Sequence, residues 1–381
     1  MPAPADPVPI SGECAPRLGA VRDAFAANFA ERGEVGAAVC AIVRGEVVVD
    51  LVGGWADADR TRAWQPDTLV DVYSVGKAFV ALLLLQQVDA KTVGLDDPIA
   101  SVWPEFAAEG KGGATLRHAL CHRAGVPAIR EPLTDADLGD WDRMAGALAA
   151  TVPWFEPGTR HVYHTNTYGH LVGELVQRTS GALPGVALRE VAASVGADVW
   201  CGLPAAEQAR CADVVGMLTG AAPSGFGAGD ADAELAALSY FNPPGYSSFG
   251  IVNSEQWRSV QVPSTNTHAT ATGVARIYQA LLEPGRLVSP ELLAEASRAQ
   301  STGYCPILDD EVSFGLGFTP TTTRRPLGPN ARSFGHFGTG GALGFADPDA
   351  GVAFGYVMND VIPRWQSTRN RSLVDALYAS L

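Results

Sequence analysis

The chain has 381 residues, 47% of them hydrophobic and 18% charged, with a mean hydropathy of +0.07, which suits a protein with a large buried core and excludes disordered, collagenous and coiled-coil chains. Its 41 acidic against 27 basic residues give a net charge of −14, a field that repels phosphate backbones and anionic lipid, so no nucleic-acid partner is expected. The longest apolar run, AFVALLLL at 78–85, is far short of the roughly 20 residues that cross a bilayer, so no integral membrane protein is expected either.

The N-terminus, MPAPADPVPISGECAP, carries neither the cationic segment nor the apolar core of an export signal, and a cytoplasmic location is the expectation. VGAAVCAIV at 35–43 and EVVVDLVGG at 46–54 are β-branched runs joined at Arg44 and Gly45, which predicts a hairpin. Helical spacing follows over 74–90, 114–122, 168–180, 269–283 and 290–299, with 74–90 the strongest. Between them, 205–265 is rich in Gly, Pro and Ser and reads as loops. SFGHFG at 333–338, GALGFADP at 341–348 and GVAFGYVMN at 351–359 read as strands, the last two meeting at a Pro-Asp-Ala-Gly turn.

Strands at both ends and helices in the middle predict an α+β fold. We expect one unit over 1–381, with a sheet lobe from 20–72 and 300–381 and a mainly helical lobe at 73–299, because neither a linker nor an internal repeat divides the sequence. Cys14, Cys40, Cys121, Cys201, Cys211 and Cys305 form no C-x-x-C pair and read as buried or idle thiols.

Lysine is scarce, with Lys77, Lys91 and Lys111 the three in the chain. Lys91 and Lys111 lie in polar, loop-like stretches. Lys77 sits in YSVGKAFVALLLLQQV, a helix apolar around its whole circumference, where a lysine is almost never buried without a partner. Ser74 lies three residues earlier, so hydroxyl and amine share one face. Desolvation lowers a lysine pKa, a neutral amine can take the Ser74 proton, and the helix N-terminus favours negative charge on the oxygen. The competing reading makes Ser74 a helix cap and lets Lys77 reach the surface.

YSVGKAFVALLLLQQVDAKTVGLDDPIASVWPEF (73–106), TLRHALCHRAGVP (115–127), FEPGTRHVYHTNTYGHLVGELVQ (155–177) and FGHFGTGGALGFADPDAGVAFGYVMN (334–359) resemble, in order and spacing, the penicillin-recognising serine hydrolases. They are most similar to the branch holding class C β-lactamases, D,D-peptidases and family VIII carboxylesterases, and PSTNTHATATGVARIYQALL (263–282) resembles its esterase members. The resemblance implies a β-lactamase/transpeptidase-like fold with Ser74 as nucleophile, Lys77 as its activating neighbour and Tyr163 as the third catalytic residue. It also implies an oxyanion hole made by the backbone N–H groups of Ser74 and Thr339.

Several residues depart from the pattern. Thr165 stands where the family has asparagine and offers one hydroxyl in place of a donor and an acceptor; Asn166, one position later, is a candidate substitute. The third motif reads His336, Phe337, Gly338. His336 is a weaker anchor for a substrate carboxylate than lysine, Gly338 would let substrate approach the strand, and His164 is a candidate to reach the cleft. A phenol such as Tyr163 is a poor base unless positive charge lowers its pKa, a role open to Lys77.

His118 and His122 have i,i+4 spacing but lack the glutamate of a zinc protease, and the resemblance places them on a structural helix. His161 and His170 flank Tyr163, and His268 reads as a loop residue. No metal or other cofactor is expected. The expected activity is cleavage of a small, uncharged ester through acyl-Ser74. The alternatives are transfer of the acyl group to an amine or alcohol in natural-product assembly, hydrolysis of D-amino-acid amides or peptides or weak β-lactamase activity, and a non-catalytic binding protein. The sequence carries no signal of oligomeric state.

Overall fold

The β-branched runs near the two chain ends meet in one antiparallel sheet. The computed structural model describes residues 8–220, 230–363 and 366–381. Seven strands run in the order Ile10–Cys14, Glu46–Gly54, Gly36–Val43, Val352–Met358, Leu343–Asp347, Phe334–Phe337, Thr319–Pro320. The predicted hairpin and the three C-terminal strands therefore stand where expected, and the hairpin strand Gly36–Val43 lies beside Val352–Met358, with Tyr356 opposite Val39.

Val352–Met358 is buried along its whole length, so both faces of the sheet are covered. One face takes the helix Ala271–Leu282, whose backbone lies so close to Gly355 that a Cβ there would sit 2.2 Å from the Ala271 carbonyl oxygen. The neighbouring residue Tyr356 points to the other face, where its hydroxyl bonds Glu34. Arg369, in the helix Thr368–Ala379, joins the chain ends there: it reaches Glu34 at 3.3 Å and Asp360 at 2.7 Å and donates to the Arg32 carbonyl.

The helix Val75–Asp89 is buried at every residue from Val75 to Leu85. An all-apolar helix has no solvent face to offer, and it packs against the helices Thr167–Ser180 and Pro184–Ser194 and the strand Phe334–Phe337. Ser74 and Lys77 are thus fixed between sheet and helices. Among the described residues no helix is long and apolar enough to cross a membrane.

Four expectations need correction. The stretch 205–265 holds the helices Ala205–Gln208, Ala231–Phe241 and Glu255–Ser259, the second capped by the Asp230 carboxylate; residues 221–229 lie outside the described residues. Ser301–Cys305 and Asp310–Phe314, assigned to the sheet lobe by position, form a separate hairpin whose Cys305, Val312 and Phe314 pack with Tyr163. Lys111 is buried, its ammonium satisfied by the carbonyls of Ala108 and Thr151, each at 2.7 Å. His268 is buried in the short strand Thr267–Ala269, where desolvation holds it down to about 3.

That short strand also pairs with Val70–Asp71, just ahead of the nucleophile. Asp71 is buried, accepting from the Tyr73 N–H at 2.8 Å and the Trp257 indole at 3.2 Å, and burial raises its pKa to about 8. The folded protein therefore holds a proton that the unfolded chain releases near 4, and stability should fall as pH rises from about 4 to about 8. Denaturant unfolding across this range should show Asp71→Asn with a flatter decline, by at most about 1.4 kcal/mol per pH unit for one proton. Parallel curves for the two proteins would refute the protonated Asp71.

Candidate active site

Tyr73 has a left-handed backbone, φ +49°, uncommon for a bulky side chain. The Asp71 carboxyl group holds its N–H, and this turn delivers Ser74 to the head of its helix with the side chain bordering a cleft of about 630 Å³. The Ser74 hydroxyl makes no capping bond, which removes the cap reading.

Two groups flank Ser74 Oγ: Lys77 Nζ at 3.0 Å and the Tyr163 hydroxyl at 3.0 Å. Lys77 also donates to the Ser264 carbonyl at 2.9 Å. That second contact depends on Gly76, where a Cβ would stand 2.4 Å from the Pro263 carbonyl oxygen and 2.2 Å from Thr267 Oγ1. Lys77 is fully buried, and desolvation pushes its pKa well below the lysine value of 10.5. Among the described residues no carboxylate forms an ion pair with it. A neutral amine has two N–H donors and one lone pair, so beside its bond to the Ser264 carbonyl it can either donate to Ser74 Oγ or accept the Ser74 O–H.

Burial raises the Tyr163 pKa, with the Ser74 hydrogen bond acting weakly the other way. Burial thus acts against the charged form of both groups, lowering the Lys77 pKa and raising that of Tyr163. The backbone around Tyr163 is held on three sides. The Val162 N–H donates to the His122 carbonyl at 3.2 Å, the Tyr163 N–H to Cys305 Sγ at 3.3 Å and the His164 N–H to His122 Nδ1 at 3.1 Å. His122, itself left-handed at φ +64°, also lays its ring 4.8 Å from the Tyr163 ring. Sequence reasoning missed His122, Cys305, Ser264 and Asp71 in these supporting positions; HALCH and PSTNTH marked two of the segments.

Thr339 borders the cleft opposite Ser74. Ser74 precedes its helix and Thr339 opens the turn Thr339–Gly341, so neither backbone N–H has a partner inside its own helical turn. A Cβ on Gly338 would lie 2.4 Å from the Val72 carbonyl oxygen. The glycine thus admits the chain's own backbone and not a substrate, and it seats the Thr339 turn against the segment leading into Ser74.

Thr165 and Asn166 both line the cleft. The Asn166 amide is already engaged, donating to the Ser239 carbonyl at 2.8 Å and Ser247 Oγ at 2.7 Å and accepting from Thr265 Oγ1 at 2.7 Å. His164 does not reach the cleft. It is buried, donates from Nδ1 to the Val162 carbonyl at 2.7 Å, accepts the Val126 N–H at 3.3 Å, and is held down to about 3 by desolvation. His336 is likewise buried, with Nδ1 on the Phe337 carbonyl at 2.7 Å and desolvation taking it to about 3. All four residues of Phe334–Phe337 are buried, so His336 presents no charge to a ligand. The other cleft residues include Met217, Leu218, Phe241, Phe249, Ile307 and Leu308, a largely apolar wall.

A serine, a desolvated lysine and a tyrosine at the junction of an antiparallel sheet and a helical layer define a β-lactamase/transpeptidase-like protein. The chain belongs to the beta-lactamase family, whose model matches residues 21–378, in line with the resemblance read from the motifs. It is 30% identical over 373 residues to Esterase/beta-lactamase LipL of Mycobacterium tuberculosis, covering 93% of this chain and 83% of that one. Among solved structures, a family VIII carboxylesterase superimposes with a TM-score of 0.90 at 36% identity, covering 98% of this chain and 100% of the other. A penicillin-binding protein homologue from Caulobacter crescentus follows with a TM-score of 0.88 at 38% identity and the same coverage.

Because Lys77 must be neutral to accept a proton, the reaction of Ser74 with a fluorophosphonate should accelerate as pH rises, on a limb lying well below the ordinary lysine range. Labelling rates measured across pH should show the limb in the parent protein. Lys77→Arg, which stays charged, should lose it and react about 100-fold more slowly near neutrality. An unchanged profile in that variant would remove Lys77 from the reaction.

Proposed function

We propose that the protein is a serine acyl hydrolase that cleaves small carboxylic esters through a covalent acyl-Ser74 intermediate. The observation that carries this reading is the placement of Ser74 Oγ between Lys77 Nζ and the Tyr163 hydroxyl, each 3.0 Å away, at the edge of an open cleft. The esterase names borne by LipL and the carboxylesterase structure support ester over amide chemistry. The engagement of the Asn166 amide within the protein points the same way, since it withdraws a group suited to an acylamino side chain.

In this mechanism Ser74 Oγ attacks the ester carbonyl carbon as Lys77 Nζ takes its proton. The carbonyl π-electrons move to oxygen, which the Ser74 and Thr339 N–H groups stabilise by about 3–4 kcal/mol per donor. As the C–O bond breaks, Tyr163 gives its proton to the leaving oxygen and is reprotonated at the expense of the Lys77 ammonium. Water then attacks the acyl carbon, losing its proton to the same pair, and Ser74 departs protonated.

Intact-mass analysis with p-nitrophenyl esters should catch an acyl adduct on Ser74, and Ser74→Ala should abolish both adduct and fluorophosphonate labelling. Lys77→Met and Tyr163→Phe should each lower kcat about 10²–10⁴-fold, and Gly338→Ala, which pushes the Thr339 turn off Val72, about 100-fold. Parental turnover in folded Ser74→Ala would end the acyl-enzyme reading, and an unlabelled, inactive parent would make the protein a binder. Release of nitrophenol that accelerates with added amine or alcohol, with the acyl group recovered on that acceptor, would make it a transacylase instead.

A further inference from the structure

The C-terminal end of the helix Ala271–Leu282 and the helix Pro290–Ser297 border a second cavity, of about 640 Å³. It shares no lining residue with the cleft beside Ser74. Leu281, Val288 and Phe334, all buried, form its floor, and Pro290, Pro320 and Pro348 border it. A proline ring fixes the backbone φ, so these borders stand in place before anything binds, and little ordering is needed on binding. A hollow of several hundred Å³ with an apolar lining and a few polar groups is the usual form of a small-molecule site.

Among the described residues two charged side chains line this cavity, and both are arginines: Arg298, just after the helix Pro290–Ser297, and Arg332, two residues ahead of the strand Phe334–Phe337. No aspartate or glutamate lines it, in a chain with 41 acidic residues against 27 basic ones. The two arginines differ in what they can offer. Arg332 Nε donates to Asp349 Oδ1 at 2.8 Å and its Nη2 pairs with the same oxygen, so its charge is already matched. Arg298 is 66% exposed, and its one ion-pair partner among the described residues, Glu295 Oε1, lies 3.7 Å away, beyond hydrogen-bond distance. That oxygen is held more closely by Arg117, at 2.7 Å. Arg298 therefore brings an accessible guanidinium to the edge of an apolar hollow.

We propose that this cavity is a binding site for an aliphatic monocarboxylate of medium chain length, with the chain on Leu281, Val288 and Phe334 and the carboxylate on Arg298. An arginine fork matches a carboxylate in plane and in charge. A phosphate monoester, with nearly two negative charges, would call for a second free cation, and Arg332 is committed to Asp349. The site is separate from the chemistry at Ser74 and does not rest on the acyl-enzyme reading.

Isothermal titration of the protein with butyrate, octanoate and decanoate, kept below micelle formation, should show one saturable site for decanoate, with affinity rising along the series by up to about fourfold per buried methylene. Ala294→Trp places an indole in the hollow from an exposed helical position and should weaken decanoate binding at least tenfold. Arg298→Gln should weaken it about tenfold and leave the binding of decanol, which has the chain without the charge, unchanged. Added salt should likewise weaken decanoate and spare decanol, because Arg298 is exposed. Both substitutions fall at exposed positions, and an unshifted thermal midpoint in each variant shows that the fold is intact.

Decanoate binding indifferent to both substitutions would place the ligand elsewhere, the cleft beside Ser74 included, and overturn the site. Decyltrimethylammonium binding as tightly as decanoate would overturn the anion recognition. Two further measurements address other occupants: a dimer in sedimentation that disappears in Ala294→Trp would assign the hollow to a second copy of the chain, and pelleting with phosphatidylglycerol vesicles that is lost in Arg298→Gln would assign it to a lipid surface. Either result would overturn the carboxylate site, whereas a monomer that ignores vesicles and binds decanoate through Arg298 would uphold it.

Discussion

An amine stripped of water and of any carboxylate partner among the described residues is the constraint around which the rest is arranged. A lysine ammonium in an apolar helix is destabilised by several kcal/mol unless it sheds its proton, and Lys77 is fully buried. The fold does not relieve that cost with a counter-ion. It supplies a carbonyl, that of Ser264, which accepts an N–H from the amine at 2.9 Å. An amine kept neutral in this way is able to accept a proton from the adjacent hydroxyl. Gly76 belongs to the same device, because any side chain there would hold the Pro263–Thr267 segment away from the helix and Lys77 would lose the Ser264 carbonyl.

The second demand is that Tyr163 point at the same oxygen from the other side, and here the protein relies on its loop backbone. Three successive N–H groups, those of Val162, Tyr163 and His164, are each held by His122 or Cys305. Loops seldom hold catalytic side chains firmly without such support. His122 performs two of the three tasks by virtue of a left-handed backbone that turns its carbonyl and its ring towards the same strand of chain. Burial, with the charge of neighbouring His164 and Lys77, pushes its pKa down, which favours the neutral ring whose Nδ1 accepts the His164 N–H.

The portion of this site that was legible in the sequence is the portion whose chemistry conflicts with its surroundings. Lys77 stood out because a charge interrupted an apolar helix, and Ser74 and Tyr163 followed from spacing and flanking motifs. The strands at 35–54 and 333–359 were legible because their β-branched and aromatic runs are local signals. What failed was orientation. His336, His164 and Gly338 lie within the right motifs, yet whether a side chain faces cleft or core depends on register and on which backbone passes nearby, such as Val72 behind Gly338. Lys111 failed for a related reason: its partners are main-chain carbonyls, those of Ala108 and Thr151, and a carbonyl leaves no residue type to read. The helix Ala231–Phe241 was lost among glycine-rich neighbours, although its Asp230 cap is an ordinary start signal.

The oxyanion side of the cleft shows how far from Ser74 the geometry is settled. The Thr339–Gly341 turn is held beneath by Val361, close enough that a Cβ on Gly340 would stand 3.0 Å from the Val361 Cα. From the side it is held by the Asn370 amide donating to the Gly341 carbonyl at 2.9 Å. Asn370 also accepts the Ser367 N–H at 3.2 Å, completing the cap of the final helix. Its neighbour Arg369 grips Glu34 and Asp360, so the turn and the last helix are tied to the segment leading into the strand Gly36–Val43. A hydrogen-bond donor stabilises a developing oxyanion only if it need not reorient at the moment of reaction. The residues that would meet that requirement for Thr339 in the proposed mechanism lie in the last quarter of the chain and near its first strands, so in that mechanism the sheet closed by the two chain ends takes a direct part in the chemistry at Ser74.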